Sequence, residues 1–205
     1  MITLFHGQGS CSLAVKAALA LTDTDYQVTK VNLGEGEHLS DEFKKINPLG
    51  KVPAIEVGGE FLTEGAAILL HLAERAPNAK LLPEEGSLAR AEAYKWLMFM
   101  YSNIHPHYAR AFVPGRYGDD EADVKTKAEV ALHNLFEMVD AQLGNNDFIN
   151  GKELSLADLY LMVCIHWEGV LSKSITGTYK NIARYKKHMF EQPVIGEIYR
   201  TEYAN

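Results

Sequence analysis

The sequence predicts an α/β domain followed by an all-helical domain. Two observations carry this expectation: short runs rich in β-formers alternate with helical apolar periods up to Pro77, and beyond Gly86 almost no strand pattern remains. The expected order in the first part is βαβαββα over residues 1–77, with a polar, proline-bearing linker at 78–87 and a helical domain over 88–205.

The elements follow in order. Ile2 to Phe5 is a short apolar run, His6-Gly7-Gln8-Gly9 is a turn signal, and Leu13, Ala17, Ala20 and Leu21 then recur at helical spacing. Tyr26 to Leu33 holds Tyr26, Val28, Thr29 and Val31 and reads as a second strand, which completes a βαβ unit. The polar stretch GEGEHLSDEFKKINPLG offers at most a short helix at Asp41 to Ile46. VPAIEV and EFL flank Gly58-Gly59, so they form a hairpin and are antiparallel; glycine takes the positive φ of such a turn at little cost. Ala66, Leu69, Leu70 and Ala73 mark one face of a helix that ends before Pro77.

In the second half, Ser87 to about Phe112 reads as one long helix kinked at Pro106, and Val124, Ala128, Ala131, Leu132, Leu135 and Val139 trace the face of another. In LSLADLYLM, Ser155 caps a third helix while Asp158 reaches back to the cap's N–H, a variant of the capping box. Segments at about 179 to 190 and 193 to 200 complete the chain.

With 20 basic against 27 acidic side chains and no run of Lys or Arg, the chain lacks the electrostatic footprint of a nucleic-acid or anionic-membrane partner. No apolar stretch reaches the roughly 20 residues of a membrane span, and MITLFHGQG lacks the basic start and apolar run of a signal peptide. A cytoplasmic protein is expected. Cys11 and Cys164 lie in unlike contexts, so no disulfide framework is expected; Cys164, within LADLYLMVCIHW, reads as a small buried hydrophobe.

Cys11 is the chemically suggestive residue. GQGSCS approaches the G-x-G-x-x-G dinucleotide fingerprint, but Ser12 replaces the third glycine and the Gly58-Gly59 hairpin breaks the required run of parallel strands. With Ser10 as N-cap, Cys11 falls in the first turn of a helix, where unpaired N–H groups and the dipole favour a thiolate. Sites of this kind bring a cysteine pKa from about 8.5 into a range of about 3.5 to 7.5. The plainer alternative is a small residue packed under the turn. Position 14 is alanine, so a thioredoxin-type dithiol is excluded here, and what remains is one thiol for a small external thiol.

Two further stretches fit a peptide-like thiol ligand. In INPLGKVPAI, Pro53 interrupts a strand; a cis Val52-Pro53 bond would accommodate it and leave the Val52 N–H and C=O to pair with an extended ligand. In FLTEGAAILL, Glu64 and Gly65 open a helix whose N–H groups suit a ligand carboxylate while Glu64 suits an ammonium; the plainer reading of Glu64 is an acid serving the helix dipole.

SCS after the first strand, INPLGKVPAI, LTEGAAILLHLAE, LSLADLYL and NIARYKKHMFEQP together resemble a bacterial glutathione S-transferase of the cysteine-containing beta class, over essentially the whole chain. The resemblance implies a thioredoxin-like domain with the glutathione site, a helical domain forming most of the second-substrate site, and a homodimer; glutathione is the co-substrate and no metal is expected. It gives catalytic roles to Cys11, Ser10 and His105, with His105 a histidine of the helical domain facing the cysteine, and glutathione contacts to Cys11, Lys51, Val52, Pro53, Glu64, Gly65, Ser102, Asn103, Ile104 and His105. An electrophile pocket falls to Tyr108, Phe112, Val113 and Trp167, which as apolar helical residues could equally be core. His107 is no metal partner for His105, because residues two apart on a helix face differently.

The chain departs from that pattern in three places: GEGEHLSDEF lacks the family's lysine after the second strand, Met98 stands for an asparagine, and Pro106 stands for a lysine. The leading expectation is conjugation of glutathione to small electrophiles. The alternatives are a glutathione-dependent thiol-disulfide oxidoreductase or peroxidase using Cys11, and a non-catalytic member of the fold that binds a ligand or partner.

Overall fold

The computed structural model describes residues 1–203, and the last two positions of the expected helical domain lie outside the described residues. The chain forms two compact units, one of Met1–Pro83 together with residues 190 onward, the other of Glu84–Met189.

The first unit is built on a four-stranded sheet of β1 (Ile2–His6), β2 (Tyr26–Lys30), β3 (Ala54–Val57) and β4 (Glu60–Thr63) in the order β2-β1-β3-β4. β1 runs parallel to β2 and antiparallel to β3, so Leu4 lies between Val28 and Ile55. The hairpin forms at Gly58 and Gly59, whose φ values of 62° and 89° lie in the region glycine takes without a Cβ clash. Helices α1 (Ser12–Leu21), α2 (Asp41–Ile46) and α3 (Gly65–Arg75) complete a thioredoxin-like fold, and Leu4, Leu13, Val15, Ile55, Ile68 and Leu69 are buried in its core. β2 ends at Lys30, shorter than expected, although Val31 N–H still donates to the His6 carbonyl at 2.8 Å; Val31 belongs to a buried cluster with Phe5, Phe43 and Val52.

The second unit is all-helical: α4 (Leu88–Phe99), α5 (His105–Phe112), α6 (Glu121–Leu143), α7 (Leu156–His166), the single turn α8 (Ile175–Thr178) and α9 (Lys180–Glu191), which leads the chain out of the unit. The long helix expected from Ser87 is broken by a π-helical turn at Met100–Ile104, in which His105 N–H donates to the Met100 carbonyl. The extra residue in that turn accommodates Pro106, whose ring lacks an N–H and crowds the carbonyl four residues back in a regular helix. The start of α7 is held as its capping residues require, with Ser155 donating its N–H and its hydroxyl to Asp158, each at 2.8 Å.

The final helix, α10 (Pro193–Tyr203), differs from expectation in allegiance: it packs on α1 and belongs to the α/β unit. Its amphipathic period is legible in sequence, but periodicity does not say which neighbour covers the apolar face. Among the described residues no helix is long and apolar enough to cross a membrane.

Candidate functional site

The turn from Gly7 to Ser12 brings Cys11 to the start of α1; the helix begins at Ser12, one residue later than expected, so Cys11 occupies the cap position with φ −59° and ψ −17°. Ser10 still contributes to the helix start, its Oγ accepting from Ser12 N–H at 3.2 Å and sharing a hydrogen bond with Ser12 Oγ at 2.7 Å.

The thiol differs from the expected thiolate. Cys11 is 9% exposed, and its Sγ donates to the Val52 carbonyl at 3.2 Å. Burial pushes its pKa up from 9.0 to about 12, outweighing backbone N–H groups at Cys11 and Ser12 and the nearby Lys51 charge, while the Glu64 charge adds to the rise. Desolvation disfavours the charged form more than the helix end favours it. The same hydrogen bond corrects the expectation for Val52, whose carbonyl already holds one donor; a carbonyl has a second lone pair for a ligand N–H.

The Val52-Pro53 bond is cis, as the sequence suggested, and Pro53 sits immediately before β3 rather than within it. The loop leading to it is shaped by Asn47, a buried residue the sequence did not single out: its amide donates to the Lys51 carbonyl at 2.6 Å and its Oδ1 accepts from Leu49 N–H at 3.1 Å. Gly50 has φ +59° and lies so close to the His38 carbonyl that a Cβ would sit 2.8 Å from that oxygen. Lys51 itself is exposed.

Glu64 has φ 67° and ψ 105°, a backbone conformation side-chain-bearing residues rarely take, and costs of order 1–3 kcal/mol attach to such positions. Its side chain is exposed and makes no cap hydrogen bond, whereas Gly65 is buried at the first position of α3. Cys11, Lys51, Val52 and Glu64 are thus gathered in one region of the first unit.

Behind Cys11 lies a buried polar network that sequence reasoning missed. His6 Nε2 contacts Glu202 Oε1 at 3.0 Å, His6 Nδ1 shares a hydrogen bond with Ser12 Oγ at 2.7 Å, and Gly9 N–H donates to Glu202 Oε1 at 2.8 Å. Gly7 N–H donates to Ser12 Oγ at 3.1 Å, and Lys16 Nζ reaches Glu202 Oε2 at 3.2 Å. Burial raises the Glu202 pKa, but hydrogen bonds from His6 and Gly9 and the charges of His6 and Lys16 outweigh it and bring the group from 4.5 to about 2. An ionised carboxylate from the end of the chain therefore pins the turn that carries Cys11. The available signal was a histidine ending an apolar strand; nothing marked Glu202.

The remaining expected residues belong to the second unit. Ser102 and Asn103 are exposed on the π-helical turn, their side chains donating to the Met98 and Phe99 carbonyls at 2.7 and 3.2 Å. Ile104 is fully buried, so its side chain is a core group and only its backbone remains for a ligand. The His105 imidazole hydrogen-bonds through Nδ1 to the Tyr160 hydroxyl, and its ring centroid lies 5.0 Å from that of Trp167. Of the proposed electrophile pocket, Tyr108 and Trp167 are buried while Phe112 and Val113 are exposed. Tyr108, Phe112 and Trp167 form one aromatic cluster with centroid separations of 5.4 to 6.1 Å.

A sheet of this order with a cis-proline loop, followed by an all-helical unit, defines a two-domain class with a thioredoxin-like first domain. Family comparison narrows it: the glutathione S-transferase N-terminal domain model matches residues 1–74 and the corresponding C-terminal domain model residues 90–193. The chain belongs to the glutathione S-transferase family, a family of transferases. It is 34% identical over 164 residues to the zeta-class glutathione S-transferase of Euphorbia esula, spanning 78% of this chain and 72% of that one. Among solved structures, the bacterial beta-class enzyme of Sphingomonas chungbukensis superposes with a TM-score of 0.86 at 33% identity, covering 99% of this chain and all of that one. A sphingomonad glutathione S-transferase complexed with glutathione gives a TM-score of 0.85 at 33% identity, with 98% of each chain covered. Beta- and zeta-class proteins are thus both among its relatives.

Proposed function

We propose that the protein is a glutathione transferase of beta-class type that binds glutathione in its first unit and promotes attack of the glutathione sulfur on small electrophilic carbons. In this reading the ligand backbone pairs with Val52 beside the cis Pro53, Glu64 holds the γ-glutamyl ammonium, and N–H groups at Gly65 hold its carboxylate. Lys51 lends a positive charge to the tripeptide. Within the second unit, the groups the family resemblance offers to a substrate are Ser102, Asn103, the Ile104 backbone, His105 as a hydrogen-bond donor, and the cluster of Tyr108, Phe112, Val113 and Trp167. The protein acts in the cytoplasm as a homodimer.

The observation that carries the choice of chemistry is the state of Cys11. A buried thiol whose pKa is about 12 and whose proton already points to the Val52 carbonyl is a hydrogen-bond donor, not a nucleophile. When glutathione binds, that single S–H turns from the Val52 carbonyl to the glutathione sulfur and stabilises its thiolate without forming a covalent bond to it, and Ser10 with the backbone N–H groups of the turn adds to that field. A redox enzyme would instead need Cys11 as a thiolate to attack a disulfide. The test is conjugation of glutathione to a generic aryl halide by wild type and Cys11→Ala, with mass spectrometry after mild oxidation. The transferase reading expects turnover by wild type and substantial turnover retained by the variant. Turnover of disulfides that vanishes in Cys11→Ala, with a glutathione adduct on Cys11, would reverse the choice.

A further inference from the structure

His105 is held by residues the functional reading does not use. Tyr160, on α7, is fully buried and its hydroxyl meets His105 Nδ1. Its ring stacks on Tyr101 with centroids 3.8 Å apart and planes 7° from parallel, and Trp167 closes on the imidazole with planes at 60°. The phenol is therefore fixed in position by stacking, on a helix whose first turn is pinned by Ser155 and Asp158.

We propose that Tyr160 is a positioning residue for His105: by donating its phenolic proton to Nδ1 it holds the imidazole in the tautomer that carries its N–H at Nε2. The direction of the bond follows from the partners. A phenol is a good donor and a poor acceptor, because its lone pair is conjugated with the ring, while the unprotonated nitrogen of a neutral imidazole is a strong acceptor. A neutral histidine held this way presents a hydrogen-bond donor at Nε2. It stabilises negative charge developing on a sulfur or on a departing group and does not act as the base that takes a thiol proton. The inference rests on the transferase reading only in taking His105 to act in the reaction; the tautomer itself is a property of the second unit.

The test is nitrogen-15 NMR of the histidine side chains in the full chain at neutral pH, with His105→Gln used to assign the resonance. Wild type is expected to show an unprotonated Nδ1 and a protonated Nε2 at His105. In Tyr160→Phe, which keeps the stacked ring, the signature moves toward a mixture of tautomers. Conjugation kcat then falls about tenfold, the rate equivalent of one hydrogen bond, with KM for glutathione little changed. A wild-type His105 protonated at Nδ1 overturns the proposal without recourse to any variant, and so does an unchanged tautomer in a folded Tyr160→Phe protein. If the tautomer moves as expected while wild type conjugates nothing, the positioning role stands and the transferase reading is what fails.

Discussion

Replacing Glu202 by glutamine removes the charge at the centre of the buried network without changing side-chain shape. The carboxylate is 4% exposed and held at a pKa of about 2 against an ordinary 4.5. Each tenfold change in proton affinity corresponds to about 1.4 kcal/mol, so ionised Glu202 contributes about 3 kcal/mol. Because the folded-state pKa is depressed, this stability is fully present above pH 4.5 and is lost as pH falls through about 2. Glutamine keeps one acceptor for Gly9 N–H or His6 but turns an NH2 group toward Lys16 or His6, so little of the loss is recovered. Urea unfolding followed by far-ultraviolet circular dichroism is the assay, with amide exchange at Gly9 as the local readout; Trp96 and Trp167 both lie in the other unit and would report on it instead. Glu202→Gln is expected to be about 3 kcal/mol less stable at pH 7, with the gap closing between pH 4.5 and 2. A difference under about 0.5 kcal/mol at pH 7, with Gly9 equally protected in both proteins, would refute an energetic role for the ionised network.

Three further outcomes follow from the site and its supports. Glu64→Gly releases the φ 67° conformation, so urea unfolding should show a gain of about 1 kcal/mol while calorimetry shows glutathione affinity falling about tenfold; lower stability would mean the position is unstrained. The raised Cys11 pKa means that its protonated form supports the fold below pH 9.0 and that this support is lost as pH rises through about 12. At pH 10 wild type should have lost about 1.4 kcal/mol more than Cys11→Ala relative to pH 8, and parallel stability curves would contradict the burial argument. Asp158 accepts from Ile149 N–H, Ser155 N–H, the Ser155 hydroxyl and the Tyr185 hydroxyl, so Asp158→Ala is expected to cost about 3 kcal/mol or more in thermal or urea unfolding, and a near-neutral effect would deny the capping network its role.

What the sequence revealed depended on how far each signal reached along the chain. The Gly58-Gly59 hairpin, the Ser155 to Asp158 cap and the cis bond before Pro53 are all local, each decided by residues within a few positions, and each is in place. Pro106 signalled a break in the long helix, but the break is a π-helical turn ahead of it, whose position depends on packing around Met100 and Ile104. The pairing of His6 with Glu202 spans 196 positions, and no periodicity links the two. Cys11 shows the limit most plainly. Its place at a helix start was readable within one residue, yet the sign of its pKa shift was not, because that sign is set by burial beneath Val52 and not by the helix end alone.

Calorimetric titration of glutathione into wild type, Glu64→Ala and Cys11→Ala tests the central claim most directly. The account predicts one glutathione bound per chain, affinity reduced about tenfold by Glu64→Ala and largely kept by Cys11→Ala, since it proposes that Val52, Glu64 and Gly65 hold the ligand. No heat of binding at millimolar glutathione, or binding abolished by the Cys11 substitution alone, would contradict it.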